Sequence, residues 1–247
     1  MTPRHKLTTL EDRARLLAPA RRLRCRLVAE ALERFAAGRP LHVLDAGCGD
    51  GAFTECIARR QPAWSVVGAD LGDGLLDRAR RGTARSHLAN VEFVHADLTE
   101  DLGTEEYDAV AAIECLEEIP EDTEALRRMI AALRPAGLLV AHVPEHRWKP
   151  VLRGSAATWR HEVRHGYDPV ELAARLTALG LESVQIDATC RSLVRLAQEL
   201  RERVPSRRPA LRAVVSLSLL GAVWLERHGL TWGPGRALVV SGRRPTR

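Results

Sequence analysis

The chain has 247 residues, 45% hydrophobic and 28% charged, the balance of a soluble globular protein with ample material for one core. Its net charge of +5 rests almost wholly on arginine, and those arginines are scattered among acids, which reads as a solvated surface and argues against a nucleic-acid partner. Five cysteines (Cys25, Cys48, Cys56, Cys115, Cys190) include no C-x-x-C pair, and Met1 to Leu10 shows no apolar leader, so reduced thiols and a cytoplasmic location are expected.

Thr8-x-x-Glu11 has the form of a capping box. Pro19 is read as interrupting the helix it opens. A second helix follows, with Leu23, Leu27, Ala31, Leu32 and Phe35 on one face, stopped by Gly38 and Pro40. Leu41 to Leu44 reads as a buried strand, and Ala52 to Arg60 as a helix. Between them stands Asp45-Ala46-Gly47-Cys48-Gly49-Asp50-Gly51. Strand, glycine loop and helix N-terminus make a nucleotide-type binding turn. Gly47-x-Gly49-x-x-Ala52 also fits the dinucleotide pattern, but Asp45 and Asp50 would repel a pyrophosphate and attract a cation. A nicotinamide-dependent oxidoreductase is therefore disfavoured.

Asp45 to Gly51 matches, at every fixed position, the D-x-G-x-G-x-G motif of the class I S-adenosylmethionine-dependent methyltransferases. The chain resembles that family over residues 40 to 190. S-adenosylmethionine carries an ammonium and a sulfonium, which suits an acidic loop. The resemblance implies this donor as the cofactor, with Asp45, Gly47, Cys48, Gly49 and Gly51 in its binding loop. Cys48 and Cys115 are read as small apolar fillers near it.

Ser65 to Ala69 forms a second strand ending at Asp70, where an acid can accept both ribose hydroxyls. The resemblance assigns Asp70 and Leu71 to the cofactor; Asp70 also suits a cap on a helix from Leu71 to Arg80. Val91 to His95 is the third strand, followed by Asp97 and Leu98. The family sets an acid here against the adenine amino group and the next backbone N–H on a ring nitrogen. The rival is a turn aspartate capping its own backbone. Tyr107 to Ile113 is the fourth strand. It runs into Glu114-Cys115-Leu116-Glu117-Glu118-Ile119-Pro120, which resembles the family's E-x-L-E-H-x-P with Glu118 in place of histidine. Glu114 joins the cofactor set. Some relatives hold a divalent ion on E-x-x-E-H with a later histidine. The departure at Glu118 leads us to expect no metal, and an all-carboxylate set would suit only a hard ion such as Mg²⁺.

Thr123 to Leu133 reads as a helix, Leu138 to Val143 as the fifth strand, Asp168-Pro169 as the start of another helix, and Leu181 to Ala188 and Ala237 to Gly242 as strands six and seven. The expected fold class is α/β: a Rossmann-like, seven-stranded doubly wound sheet with N-terminal helices and a helical insertion before the last strand. One domain is divided into N-terminal helices (1–39), core (40–190), insertion (191–231) and final strand with tail (232–247). Within the insertion, Ala213 to Leu225 is almost wholly apolar, spans about 20 Å, and is too short for a bilayer core of about 30 Å. Arg207, Arg208, Arg212 and Arg227 flank it. It reads as a wall for an apolar acceptor, an interfacial helix on a membrane, or a buried or dimer-forming helix.

Methyl transfer from a sulfonium needs alignment in a dry site, and a hydroxyl acceptor also needs a base. Glu114, His142, Glu145, His146, His161 and His165 are candidates. Arg160 to Tyr167 resembles a V-R-x-G-Y segment of methyltransferases in polysaccharide and natural-product pathways, which favours His165 or His161. The expected activity is methylation of a small-molecule acceptor, at a hydroxyl, in a biosynthetic pathway. The alternatives are a lipid-linked or quinone acceptor at a membrane surface, and a non-catalytic binding subunit of the same fold.

Overall fold

The computed structural model describes residues 19–149, 152, 163–205, 207, 209–228, 230 and 235–246. The capping box and His161 lie outside them. Strands β1 (His42–Ala46), β2 (Ser65–Asp70), β3 (Val91–His95), β4 (Tyr107–Ile113) and β5 (Leu133–Pro144) pair in parallel. Strand β7 (Ala237–Arg243) runs antiparallel to both β5 and β6 (Glu182–Thr189). The order is β3-β2-β1-β4-β5-β7-β6, so the expected seven-stranded doubly wound sheet is the observed one. The helices are α1 (Pro19–Ala36), α2 (Ala52–Arg60), α3 (Asp73–Ser86), α4 (Asp122–Ala132), α5 (Pro169–Ala178), α6 (Ser192–Arg203) and α7 (Pro209–Arg227).

Successive side chains of a strand face opposite sides of the sheet. Val110 and Ala112 of β4 accordingly join a cluster with Leu126 and Met129 of α4 and Leu172 and Leu176 of α5. Ala109, Ala111 and Ile113 join Val28 and Leu32 of α1 and Ile57 of α2 on the other side. Cover on both faces is why β4 and β5 read as unbroken apolar runs. Burying a side chain such as Leu126 or Met129 is worth roughly 1.5–3 kcal/mol. The exposed Arg128–Glu124 pair on α4 is worth under about 1 kcal/mol, so apolar burial dominates. A third cluster packs Val194 and Ala197 of α6 and Leu219 and Ala222 of α7 against Leu23 of α1.

Several expectations are corrected. The helix that Pro19 is expected to interrupt lies outside the described residues, and Pro19 itself stands at the start of α1, as suits a residue with preset φ and no N–H to lose in the first turn. Helix α3 starts at Asp73, after Gly72, because the Asp70 carboxylate takes the Gly72 N–H (2.8 Å) and turns the chain first. Cys25 and Cys56 are joined as a disulfide, Cα atoms 6.6 Å apart, instead of standing reduced. Helices α1 and α2 share one sheet face, which brings together two cysteines separated by 31 residues with no local signature. Arg60 reinforces the pairing through two bonds to Glu33, at 3.0 and 2.9 Å.

Replacing Cys25 and Cys56 by serine is expected to lower the unfolding free energy by roughly 4 kcal/mol on the loop-entropy scale. Urea denaturation monitored by circular dichroism reads this. An unmoved midpoint, with all five thiols alkylated in denaturant without reductant, would remove the bond.

Candidate active site

The glycine loop sits at the carboxyl end of β1, pinned from two sides. Gly47 and Cys48 donate their N–H groups to the Ala69 carbonyl at 2.8 and 3.0 Å, and Gly49 donates to Asp70 Oδ2 at 2.8 Å. Gly47 has φ +74°, and a Cβ there would stand 2.4 Å from that of Cys115. A Cβ on Gly49, at φ +56°, would meet nothing within 4 Å. The loop is thus closed on its sheet side and open at Gly49, a backbone cradle that a ligand can approach.

The acids divide their work in a way the sequence did not show. Asp45 is 1% exposed, and its Oδ2 accepts the Thr54 hydroxyl at 2.6 Å. Burial pushes its carboxyl up to about 6 despite that bond, and Asp70 adds to the rise. Asp45 thus lies buried on the protein side of the loop, held by Thr54. Asp50 faces Arg21 of α1, with Nη1 3.3 Å from each carboxylate oxygen. Asp70 ties the tip of β2 to the loop through Gly49 and Gly72, and Leu71 beside it is exposed. Asp97 Oδ1 accepts from both the N–H and the hydroxyl of Thr99, at 2.8 and 2.7 Å. These bonds hold its carboxyl below the usual range. This is the turn geometry anticipated as the rival of the adenine role. Leu98 is buried 3.7 Å from the position of a Gly47 Cβ, which brings the 97–98 segment to the same loop. Burial raises the Cys48 and Cys115 thiols, as befits fillers and not nucleophiles.

Beside the loop, at the carboxyl ends of β4 and β5, lies a second group. Glu114 follows β4 in the left-handed region at φ +54°, a conformation costing a non-glycine residue about 1–2 kcal/mol. Its N–H donates to the His142 carbonyl at 2.9 Å, while its carboxylate lies 2.9 Å from His142 Nδ1 and 3.0 Å from Arg24 Nη2. Burial alone would raise the Glu114 carboxyl; Arg24 and His142 overcome it and hold it well below the carboxylate range. An ionised carboxylate only accepts hydrogen bonds, so His142 Nδ1 carries the proton. His142 is wholly buried and its Nε2 has no hydrogen-bond partner. Arg24, Glu114, His142, Pro144, Cys190, Arg236 and Ala237 line one small cavity with room for about one water molecule. The Arg236 guanidinium stacks over Trp148 at 4.6 Å.

The structure thus gathers Asp45, Gly47, Cys48, Gly49, Asp70 and Leu98 around one loop and places Glu114 next to Cys115 on its flank. It does not bring His165 to the cavity: that residue is exposed. Its neighbours serve the fold. Arg164 Nη1, Tyr167 Oη and Arg175 Nη1 all donate to Oδ2 of buried Asp122, at 2.9, 2.9 and 2.8 Å. His146 is engaged by Arg147 at 3.2 Å. Glu145 is buried, with no hydrogen-bond partner at Oε2. Among the described residues, no three His, Cys, Asp or Glu side chains converge as metal ligands. Sequence reasoning missed Arg24 and Arg236. Arg24 had a signal: it stands four residues before Val28 and eight before Leu32, a charge on the apolar stripe of α1. Arg236 had none, since only β5–β7 pairing brings it to the site.

Two outcomes test the loop. Asp70→Ala is expected to weaken S-adenosylhomocysteine binding by roughly 1–3 kcal/mol, the scale of charged hydrogen bonds; unchanged calorimetric affinity would remove Asp70 from the site. For Asp45, the folded value of about 6 lies above the ordinary 3.8. Its contribution to stability is full below pH 3.8 and is lost as pH rises through about 6. Asp45→Asn is therefore expected to flatten that part of the stability–pH curve of the ligand-free protein, read by urea denaturation, and to weaken binding of the cationic donor more than of neutral S-adenosylhomocysteine.

The sequence matches the family described as "Methyltransferase domain" over residues 19–186. It is similar to the trans-aconitate 2-methyltransferase of Acidovorax ebreus, 27% identical over 212 residues, covering 84% of this chain and 75% of that one. The corresponding enzyme of Delftia acidovorans is 33% identical over 127 residues, 50% of this chain and 46% of the relative. A putative sarcosine dimethylglycine methyltransferase from Galdieria sulphuraria shares the fold with a TM-score of 0.64 at 15% identity, over 90% and 85% of the two chains. Haemonchus contortus phosphoethanolamine N-methyltransferase 2, solved with S-adenosyl-L-methionine, gives 0.64 at 16%, over 87% and 51%. An open glycine cradle backed by buried acid, on a sheet of this order, agrees with all of them: the chain belongs to the methyltransferase-domain family and is a class I S-adenosylmethionine-dependent methyltransferase.

Proposed function

We propose that this enzyme methylates an oxygen of a small acceptor carrying a carboxylate, with His142 as the group that takes the acceptor's proton. The observation that carries this reading is the buried, unpartnered His142 Nε2 in a cavity walled by Arg24 and Arg236. The donor, when bound, supplies an electrophilic methyl group, so the protein's share is alignment and proton management. Glu114 holds the imidazole by Nδ1–H, which leaves the unpartnered Nε2 to take a hydroxyl proton once the cavity widens to admit the acceptor. Arg24 and Arg236 supply positive charge for an anionic acceptor. Glu114 balances part of that charge and keeps it out of the donor's loop.

Under this reading the base moves from His165 to His142. A second reading is favoured by the relatives' printed name, trans-aconitate 2-methyltransferase, since trans-aconitate is a carboxylic acid. There the carboxylate itself is the nucleophile, and the arginines suffice without a base.

Labelled donor offered with a panel of hydroxy acids and polycarboxylates separates the two, because a methyl ester is cleaved by mild alkali and an ether is not. His142→Gln is expected to lower kcat at least about 100-fold, the usual worth of a general base, with donor affinity unchanged and His165→Ala near wild type. Full turnover by His142→Gln with an alkali-labile product would establish the second reading. Transfer to amines alone would defeat both.

A further inference from the structure

Helix α7 is apolar on two faces, and among the described residues one is buried and the other exposed. Leu219 and Ala222 are buried against α6 and α1. Leu211, Val214, Leu217, Leu220 and Trp224, spaced three, three, three and four residues apart, are 43–65% exposed. Leu200 of α6 and Leu230 are exposed as well. Val214, Leu217, Leu220 and Trp224 share one side of the helix, a row about 15 Å long. An exposed apolar row of that length marks a contact surface.

The charges around it select the partner. In the sequence no acid occurs from Pro209 to Leu225, whereas Arg207, Arg208, Arg212 and Arg227 occur in or beside that segment. Arg203 and Arg207 are exposed. The one nearby acid in the helix, Glu226, is engaged by the Arg191 N–H at 3.1 Å. A second copy of the chain would bring the same arginine-bordered surface and repel it. An anionic lipid leaflet supplies both the opposite charge and an apolar layer. Among the described residues, no helix is long and apolar enough to cross a membrane, so the geometry is that of a helix lying in the interface. We propose that the outer face of α7 docks on an anionic phospholipid surface. The α6–α7 hairpin leaves β6 at Cys190 and rejoins the sheet through Arg236 and Ala237, three residues of the cavity wall. Docking therefore holds the acceptor cavity close to the lipid.

The test is flotation of the full chain with vesicles of phosphatidylcholine alone and of phosphatidylcholine with phosphatidylglycerol in equal parts. Most of the protein is expected to float with the anionic vesicles at low salt, at least fivefold less with the neutral ones, and less again in 0.5 M salt. Leu217→Asp and Trp224→Ser are each expected to reduce flotation at least tenfold while leaving calorimetric S-adenosylhomocysteine binding unchanged. Val214→Ser serves as a milder third variant should either of those lose ligand binding. Wild-type protein remaining at the bottom with both vesicles overturns the proposal, and so does flotation that survives these substitutions. A dimer in sedimentation equilibrium that Leu217→Asp dissociates assigns the face to a second copy and overturns it too.

Discussion

The tips of β1 and β4 meet with no room for a side chain between them. Gly47 lies where its Cβ would overlap that of Cys115, and the Cys115 thiol donates to the Ala46 carbonyl at 3.2 Å. Interiors are packed too densely for such a contact to be relaxed locally. With Cys115 fixed on the loop, Glu114 stands beside it and reaches β5, because its left-handed backbone turns the carboxylate toward His142. The glycine loop and the cavity at His142 are neighbours by virtue of one missing Cβ and one strained residue.

Around that contact the charges fall into two groups. Asp45 lies behind the glycine loop in an environment that opposes its ionisation. Arg24, Arg236 and His142 surround the adjoining cavity, with Glu114 between the two regions. Helix α1 serves both, Arg21 facing Asp50 and Arg24 facing Glu114, and the Cys25–Cys56 bond holds it to α2 behind the loop. The same helix covers the sheet through Val28 and Leu32 and lines the cavity through Arg24.

Order and type of element were legible because each rests on local physics. Apolar runs, glycine stops and an aspartate cap at Asp168, which accepts from Val170 and Glu171, announce themselves within a few residues. The Arg164–Tyr167 motif was legible as a pattern but not as a role. Its residues converge on Asp122, more than forty positions upstream, and bind the loop to the fold. His142 could be named as a candidate but not chosen, since its claim rests on burial and on an unpaired nitrogen.

By itself, the sequence determined the glycine loop, the acids at the strand tips, the alternation that builds a doubly wound sheet, and through them the donor and the reaction class. The loop, the acids and the alternation follow from backbone freedom, side-chain charge and hydrophobic period, all carried within a short window; the donor and the reaction class follow from the resemblance those residues carry to a known family. Tertiary structure alone decided that Asp45 is buried, that Cys25 meets Cys56, and that Arg24, His142 and Arg236 share one cavity. Those facts depend on strand order and helix packing, which join residues as far apart as positions 24 and 236.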